Sequence, residues 1–580
     1  MMKKSYRIIC LLLTLVMVLS TLVSCGGENT PPAEEPEEEE QGTAIVKKGV
    51  PQYTIVYASG LSGSCVDLIY RLQDKIYEAV GATVEVKKEG EQQDADAKEI
   101  LIGATDYDES TAVTKTLSKT QYAIREEGNK IVVVAKNNYT LEEAIWCFIE
   151  QLIPRNVKEY NGKFSLYHED FLVDYVEPTE PLFNGESLGK YAIVYSKDVP
   201  GMEDIALDLA KRLKGTLGLD LECYPDTFRE EVEYEILIGR TNRPYSVACF
   251  SDGKVPLMSY RLIVEGTKIQ FAAAGGYSMS EMASKFVSSY VLSIAMRNLR
   301  DGTYMESDLL PIRSQPLTAG STLRVMTSNV LADAWVDGRD YPSVAARAEM
   351  YAATLLVYRP DLVGIQETDK PWINTLPYYL QYLRDEYSVD YDWIETAYRK
   401  DNGSTVPNYT SLIYRKDTFS LVESGSQEFS FTNQKNYKIR VATWAILTHK
   451  LSNEKYALIN THWDFTSEKG KVSVEEECRL IESFKQRYEG LHVFCTGDFN
   501  NHLNGSYELF KETGGLNDSK EVAAVNGTLI NENAGIPEKI YIDHVAFNEG
   551  ITVTRHETIE HAYASKMSDH LPQYGDFIVY

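Results

Sequence analysis

The chain has 580 residues and a formal net charge of -27. That length exceeds what one hydrophobic core holds, and 25% charged with 43% hydrophobic residues is ordinary for globular protein, so several folded domains are expected. The acidic balance excludes a surface built throughout for nucleic acid.

At the N-terminus Lys3, Lys4 and Arg7 precede an apolar run over residues 8–18, too short for a membrane span and typical of a secretory signal. Leu22-Val23-Ser24-Cys25 resembles the lipobox of bacterial lipoproteins. The resemblance implies cleavage after residue 24, lipidation of Cys25 and a chain anchored at the extracellular face of a bacterial membrane. Residues 25–50 carry Pro31, Pro32, Pro36 and the acidic run 37–40, and read as a solvated tether. Six further cysteines downstream (Cys65, Cys147, Cys223, Cys249, Cys478 and Cys495) lack Cys-x-x-Cys or zinc-ligand spacing, so neither a metal cage nor a disulfide framework is predicted.

Residues 51–175 and 185–313 form an internal repeat. Tyr53-Thr54-Ile55-Val56-Tyr57 returns as Tyr191-Ala192-Ile193-Val194-Tyr195, and Glu99-Ile100-Leu101-Ile102-Gly103 as Glu235-Ile236-Leu237-Ile238-Gly239. Each copy reads strand, helix, strand, strand pair, helix, which predicts two small α/β domains. The pattern resembles the small non-catalytic α/β domain preceding the barrel of β-hexosaminidases and α-glucuronidases. No cluster of acids, His or Cys recurs between the copies, so they are expected to be spacer or interaction modules, with a glycan as a possible ligand.

From Leu323 the texture becomes short apolar strands that end in polar residues. Leu323-Arg324-Val325-Met326-Thr327-Ser328-Asn329 is followed by a helical segment over 345–358. Leu362-Val363-Gly364-Ile365-Gln366-Glu367 comes next, and then a strand over 410–414. A hairpin over 441–447 and 456–460 leads into Thr461-His462, then Gly497-Asp498-Phe499-Asn500, Ile542-Asp543 and Ser568-Asp569-His570. Polar groups delivered by successive strand ends meet at one rim of a packed sheet, where ligands sit. Taken together and in order, these residues resemble the endonuclease/exonuclease/phosphatase superfamily over residues 320–580.

The resemblance implies a DNase I-like α/β/β/α sandwich of four layers, preceded by the two repeated domains, and a Mg²⁺-dependent phosphoesterase, with Mn²⁺ as the other candidate metal. It implies Glu367 as first metal ligand, with Asn329 and Asp569 beside it. Asp498 and Asn500 would bind and orient the nucleophilic water or a second metal, Asp498 being a candidate base. His570, its tautomer fixed by Asp543, would meet the phosphoryl oxygens, and His462 would stabilise developing charge. Chemistry asks for the same types, since a hard cation must neutralise a phosphoester before hydroxide can approach. Trp463 stands where many relatives carry Leu. Arg415 could reach a phosphate or be solvated, and His544 reads as structural.

Residues 321–580 hold 25 basic and 37 acidic side chains. Lys435, Lys438 and Arg440 are the basic cluster of note, so long nucleic acid is disfavoured and a small or membrane-presented phosphoester is expected. A phosphate-scavenging surface nuclease and an inactive glycan-binding lipoprotein stay open as alternatives.

Overall fold

The computed structural model describes residues 42–90, 96–175, 180–251, 255–291, 298–309, 315–336, 338–399, 405–433, 440–500, 505–527 and 541–579. The signal segment, Cys25, the acidic run of the tether, Lys435 and Lys438 lie outside them. The chain divides into two compact units, residues 1–176 and 177–580.

In the first unit part of the predicted tether is folded. Ala44–Lys47 is a strand paired with Lys163–Tyr167, because Ile45 and Val46 are apolar and fully buried. The main sheet runs Phe171–Asp174, Gln121–Glu127, Lys130–Ala135, Glu99–Ile102, Thr54–Tyr57, Val86–Lys88. Its core is closed by the helix Gly63–Val80, whose Leu68, Ile69, Leu72 and Ile76 form one apolar stripe.

The second unit contains two layered assemblies. Residues 192–308 build a six-stranded sheet in the order Cys223–Pro225, Ala192–Tyr195, Glu235–Ile238, Lys268–Ala273, Ser259–Glu265, Gly302–Asp308, with the first four strands parallel. Position by position this is the strand order of the first unit. It is no free spacer. The helix Gly276–Lys285 begins at Gly275, which has no side chain with which to cap it, and the missing acceptor is Glu349 of the helix Val344–Tyr358. The fully buried Glu349 carboxylate accepts the backbone N–H of Met258 (3.0 Å), Tyr277 (2.8 Å) and Ser278 (3.0 Å) and the Ser278 hydroxyl (2.7 Å). A Cβ at Gly275 would lie 2.6 Å from that carboxylate carbon, and one at Gly276 would lie 2.9 Å from the Ala345 backbone. Only glycine permits this approach.

The C-terminal assembly stacks two sheets. One runs Tyr391–Arg399, Thr405–Arg415, Leu362–Thr368, Leu323–Asn329, Gln573–Val579, Ile551–Thr558, Val525–Asn526. The other runs Phe419–Glu428, Val441–His449, Lys455–His462, His492–Asp498, Asp543–Asn548, Leu516–Asp518. Val325, Leu362, Leu412, Leu458, Phe494 and Phe577 fill the space between them. The helices Val344–Tyr358 and Lys370–Tyr387 cover the first sheet, and Ser467–Arg487 and Ser506–Gly514 cover the second. This is the four-layered sandwich expected for residues 320–580. Near one rim the sheets close on polar contacts. Asn460 donates to the Ile365 (2.8 Å) and Ser411 (3.0 Å) carbonyls and accepts from Gln366 (2.6 Å), while a Cβ at Gly364 would lie 1.9 Å from Thr496 Oγ1.

Candidate active site

Strand direction explains why the polar residues meet. Leu323–Asn329 and Leu362–Thr368 are parallel with Asn329 opposite Gln366, and Lys455–His462 and His492–Asp498 are parallel with His462 opposite Asp498. All four therefore end at the same rim. Asp543–Asn548 runs the other way, so its first residue, Asp543, pairs with the last residue of its neighbour, Asp498. Gln573–Val579 is antiparallel to Leu323–Asn329 and begins three residues after His570.

The centre is a carboxylate pair held by an amide. Asn329 Nδ2 donates to Glu367 Oε1 at 2.9 Å and to Asp498 Oδ2 at 3.1 Å, while its Oδ1 accepts the Leu331 N–H at 3.0 Å. With both ends engaged, Asn329 is placed to orient the two carboxylates. Glu367 sits in a β-bulge where the register with Thr405–Arg415 shifts, at φ +66°, and its Oε2 accepts the Ala332 N–H at 2.9 Å. A non-glycine residue in the left-handed region is strained, and here the bulge re-aims a carboxylate to the rim. Burial pushes the Glu367 carboxyl above its ordinary pKa. Burial also raises Asp498, with the Asp543 and Glu367 charges adding to it against the opposing pull of His570.

Two imidazoles flank the pair. His462 Nε2 lies 3.4 Å from Asp498 Oδ2. His570 Nδ1 lies 2.7 Å from Asp543 Oδ2, and its Nε2 is 3.9 Å from Asp498 Oδ2. Burial disfavours the His570 cation, but the Asp543 carboxylate outweighs it and raises the imidazole pKa. Asn500, at φ +48°, donates its backbone N–H to Asp498 Oδ1 (3.1 Å) and its amide to the Trp463 carbonyl (2.9 Å). Glu367, His462 and Asp498 each offer a ligand atom within 4.8 Å of the others, and so do Asp498, Asp543 and His570. Buried oxygens with one imidazole suit a hard divalent cation.

Asp569 is outside both groups: Arg339 Nη1 donates to its Oδ2 at 2.5 Å. Arg415 is away from the rim, bonded to Asp361 and Asp417 where its strand ends. His544 bonds Asp518 at 2.7 Å and stacks on Tyr507.

Residues not singled out for this site complete it. Arg440 is buried, and its guanidinium Nη1 donates to the His462 carbonyl at 3.2 Å. The hairpin register, with Ala442 opposite Thr461, places it there. Trp335 stacks on Tyr409 (5.6 Å between rings, 10° apart), and its ring lies 6.4 Å from that of His462. Trp335 ends the single 3-10 turn Asp333–Trp335, too short to show periodicity, so no pattern announced it.

Residues 326–570 match the Endonuclease/Exonuclease/phosphatase family. Mouse nocturnin is 23% identical over 211 residues, 34% of this chain and 47% of that protein. Zebrafish tyrosyl-DNA phosphodiesterase 2 is 26% identical over 166 residues, 28% and 39% respectively. The chain thus spans about half the length, or less, of these curated relatives. Among solved structures, an endonuclease/exonuclease/phosphatase family protein from Bacteroides thetaiotaomicron is 21% identical with a TM-score of 0.37, covering 44% of this chain and 95% of that one.

Proposed function

We propose that the C-terminal domain is a metal-dependent hydrolase of phosphoester bonds. The observation that carries this is the convergence of Glu367, Asp498, Asp543, His462 and His570 on one buried rim, with Asn329 bridging Glu367 and Asp498. The family match and the phosphodiesterase named among the relatives support the reaction class. Mg²⁺ is the proposed ion, with Mn²⁺ able to replace it. Glu367 and Asp498 would hold it, and it would supply charge neutralisation of the phosphoryl oxygens.

The chain's own residues do the rest. Asn329 fixes the two carboxylates, and the Asn500 N–H fixes the outer Asp498 oxygen, so that Asp498 can orient an attacking water. Asp543 locks the His570 ring with Nε2 toward the reacting group, where it donates to a phosphoryl oxygen. Arg440 places positive charge behind His462, whose Nε2 faces the site where negative charge develops. Asp569 stands back, paired with Arg339. The acidic surface favours a small or membrane-presented phosphoester over long nucleic acid, and lipid at Cys25 would hold the enzyme on the outer face of a bacterial membrane.

The test uses residues 26–580 with bis-p-nitrophenyl phosphate and p-nitrophenyl phosphate, with Mg²⁺, Mn²⁺ or EDTA, beside Asp498→Ala. Metal-dependent turnover lost in the variant is expected. Preference for nucleic acid would favour the nuclease alternative. No turnover by the wild type on these, on nucleic acid or on phospholipids would sink the hydrolase reading.

A further inference from the structure

Within the second compact unit, a cavity of about 460 Å³ lies between the small α/β sheet and the helix Lys370–Tyr387. Its floor is the carboxyl edge of that sheet. Asp226 follows the strand Cys223–Pro225, Ser196 follows Ala192–Tyr195, Arg240 and Thr241 follow Glu235–Ile238, and Ala274 follows Lys268–Ala273. Open α/β sheets bind ligands at this edge, where parallel strands deliver side chains together.

The floor is rigid. Asp226 Oδ1 accepts the Lys197 N–H (3.3 Å), its Oδ2 accepts the Asn242 N–H (2.8 Å), and the Asn242 amide donates back to the Asp226 carbonyl (3.0 Å). One carboxylate thereby ties three strand-end loops. Glu89 does the same in the first unit, accepting from Ser59 N–H (2.5 Å) and Asp106 N–H (3.0 Å). The tie is scaffold, common to both sheets. What differs is the residue after the shared glycine, which is Ala104 in one copy and Arg240 in the other. The scaffold works without that arginine, so its side chain is spare for a ligand. The roof is rigid too, since Tyr382 Oη donates to the Val255 carbonyl at 2.5 Å and its ring lies 6.4 Å from that of Tyr378.

We infer that this cavity binds a neutral saccharide. Its volume suits one or two sugar rings. Asp198, Asp385 and Glu386 outnumber Arg240 on its walls, which disfavours phosphates and other anions. Asp226 is the buried carboxylate of the lining, and both its oxygens are taken by backbone N–H, so an ammonium would meet no free desolvated counter-charge. A polyhydroxylated ring fits what remains. Its hydroxyls both donate and accept, matching carboxylates, guanidinium and the Gln381 amide, and its apolar face matches the tyrosine rings. The site is separate from the buried rim that holds Glu367 and does not depend on the proposed hydrolysis.

The experiment is calorimetric titration of residues 26–580 with glucose, galactose, mannose, N-acetylglucosamine and disaccharides of each. The same protein is titrated with glucose 6-phosphate and spermidine, and Arg240→Ala and Asp385→Ala are run beside it. Both substituted side chains are exposed, so the melting temperature should be unchanged. At least one neutral saccharide is expected to bind saturably, with affinity falling about tenfold or more in each variant. The inference is overturned if no neutral saccharide binds, if binding survives both substitutions, or if only the phosphorylated sugar or the amine binds.

Discussion

Asp543 and His570 are joined oxygen to nitrogen at 2.7 Å, across the gap between the first residue of one sheet's strand and the loop entering a strand of the other sheet. The carboxylate fixes both the ring plane and the tautomer, leaving Nε2 directed toward Asp498. Asp543→Asn keeps the shape but presents an amide to Nδ1. By comparison with the equivalent change in a serine-protease triad, turnover should fall by roughly 10²–10⁴ with little change in KM. Steady-state kinetics beside a thermal melt check it. A fall of less than about threefold would show that the ring needs no such partner.

Glu367 and Asp498 are buried carboxylates sharing one amide, and the repulsion between them would be relieved by a bound cation. A ligand of the native state alone stabilises it by mass action, about 2.7 kcal/mol at a hundredfold excess over Kd. Mg²⁺ should therefore raise the melting temperature of the wild type, and EDTA should reverse the rise. In Glu367→Ala the increment should largely disappear. An equal shift in both proteins would place the ion elsewhere.

Glu349 caps the helix Gly276–Lys285 from outside, and its removal strands three buried N–H groups. Burial raises its carboxyl pKa against the pull of those donors. Glu349→Ala should cost about 3–5 kcal/mol in urea unfolding, and Glu349→Gln should recover part of that by keeping an acceptor. A loss below about 1 kcal/mol in Glu349→Ala would mean that the two assemblies do not depend on this cap.

What the sequence disclosed here follows from which signals are local. Asn329, Glu367, His462, Asp498 and Asp543 all stand at strand ends, and period-two apolar runs mark strand ends well, so their shared rim was legible. The bulge at Glu367 was not, because its cause is pairing with Tyr409 and Thr410, some forty residues away. Arg440 was hidden by company: beside Lys435 and Lys438 it reads as surface charge, and only the hairpin register shows it turning inward. The helix Val344–Tyr358 is buried on nearly every side. A helix apolar all round signals cover on both faces. Its alanines and the adjacent Gly275-Gly276 pair were the available clue that the small domain packs there, but neither residue type names its partner.

Glu477 lies beneath the site wall. Trp463, next to His462, donates its indole N–H to Glu477 Oε2 at 2.9 Å, and the carboxyl is fully buried in the helix Ser467–Arg487. Burial pushes its pKa up to about 8, opposed by the bonds from Trp463 and Thr461. The folded protein thus keeps this proton until about pH 8, whereas the unfolded chain releases it near the ordinary glutamate value of 4.5. Between those values the native state binds more protons, so this group's contribution to stability falls as pH rises. Glutamine carries no titrating proton and still presents an oxygen to the indole. Glu477→Gln should match the wild type near about pH 4.5 and exceed it increasingly toward about pH 8, by roughly 3–5 kcal/mol at the plateau. Urea unfolding of both proteins at about pH 5, 7 and 9 measures the gap. A gap that stays constant with pH would mean that Glu477 is ionised in the folded protein, and that the Trp463 wall rests on a buried charge instead of a neutral acid.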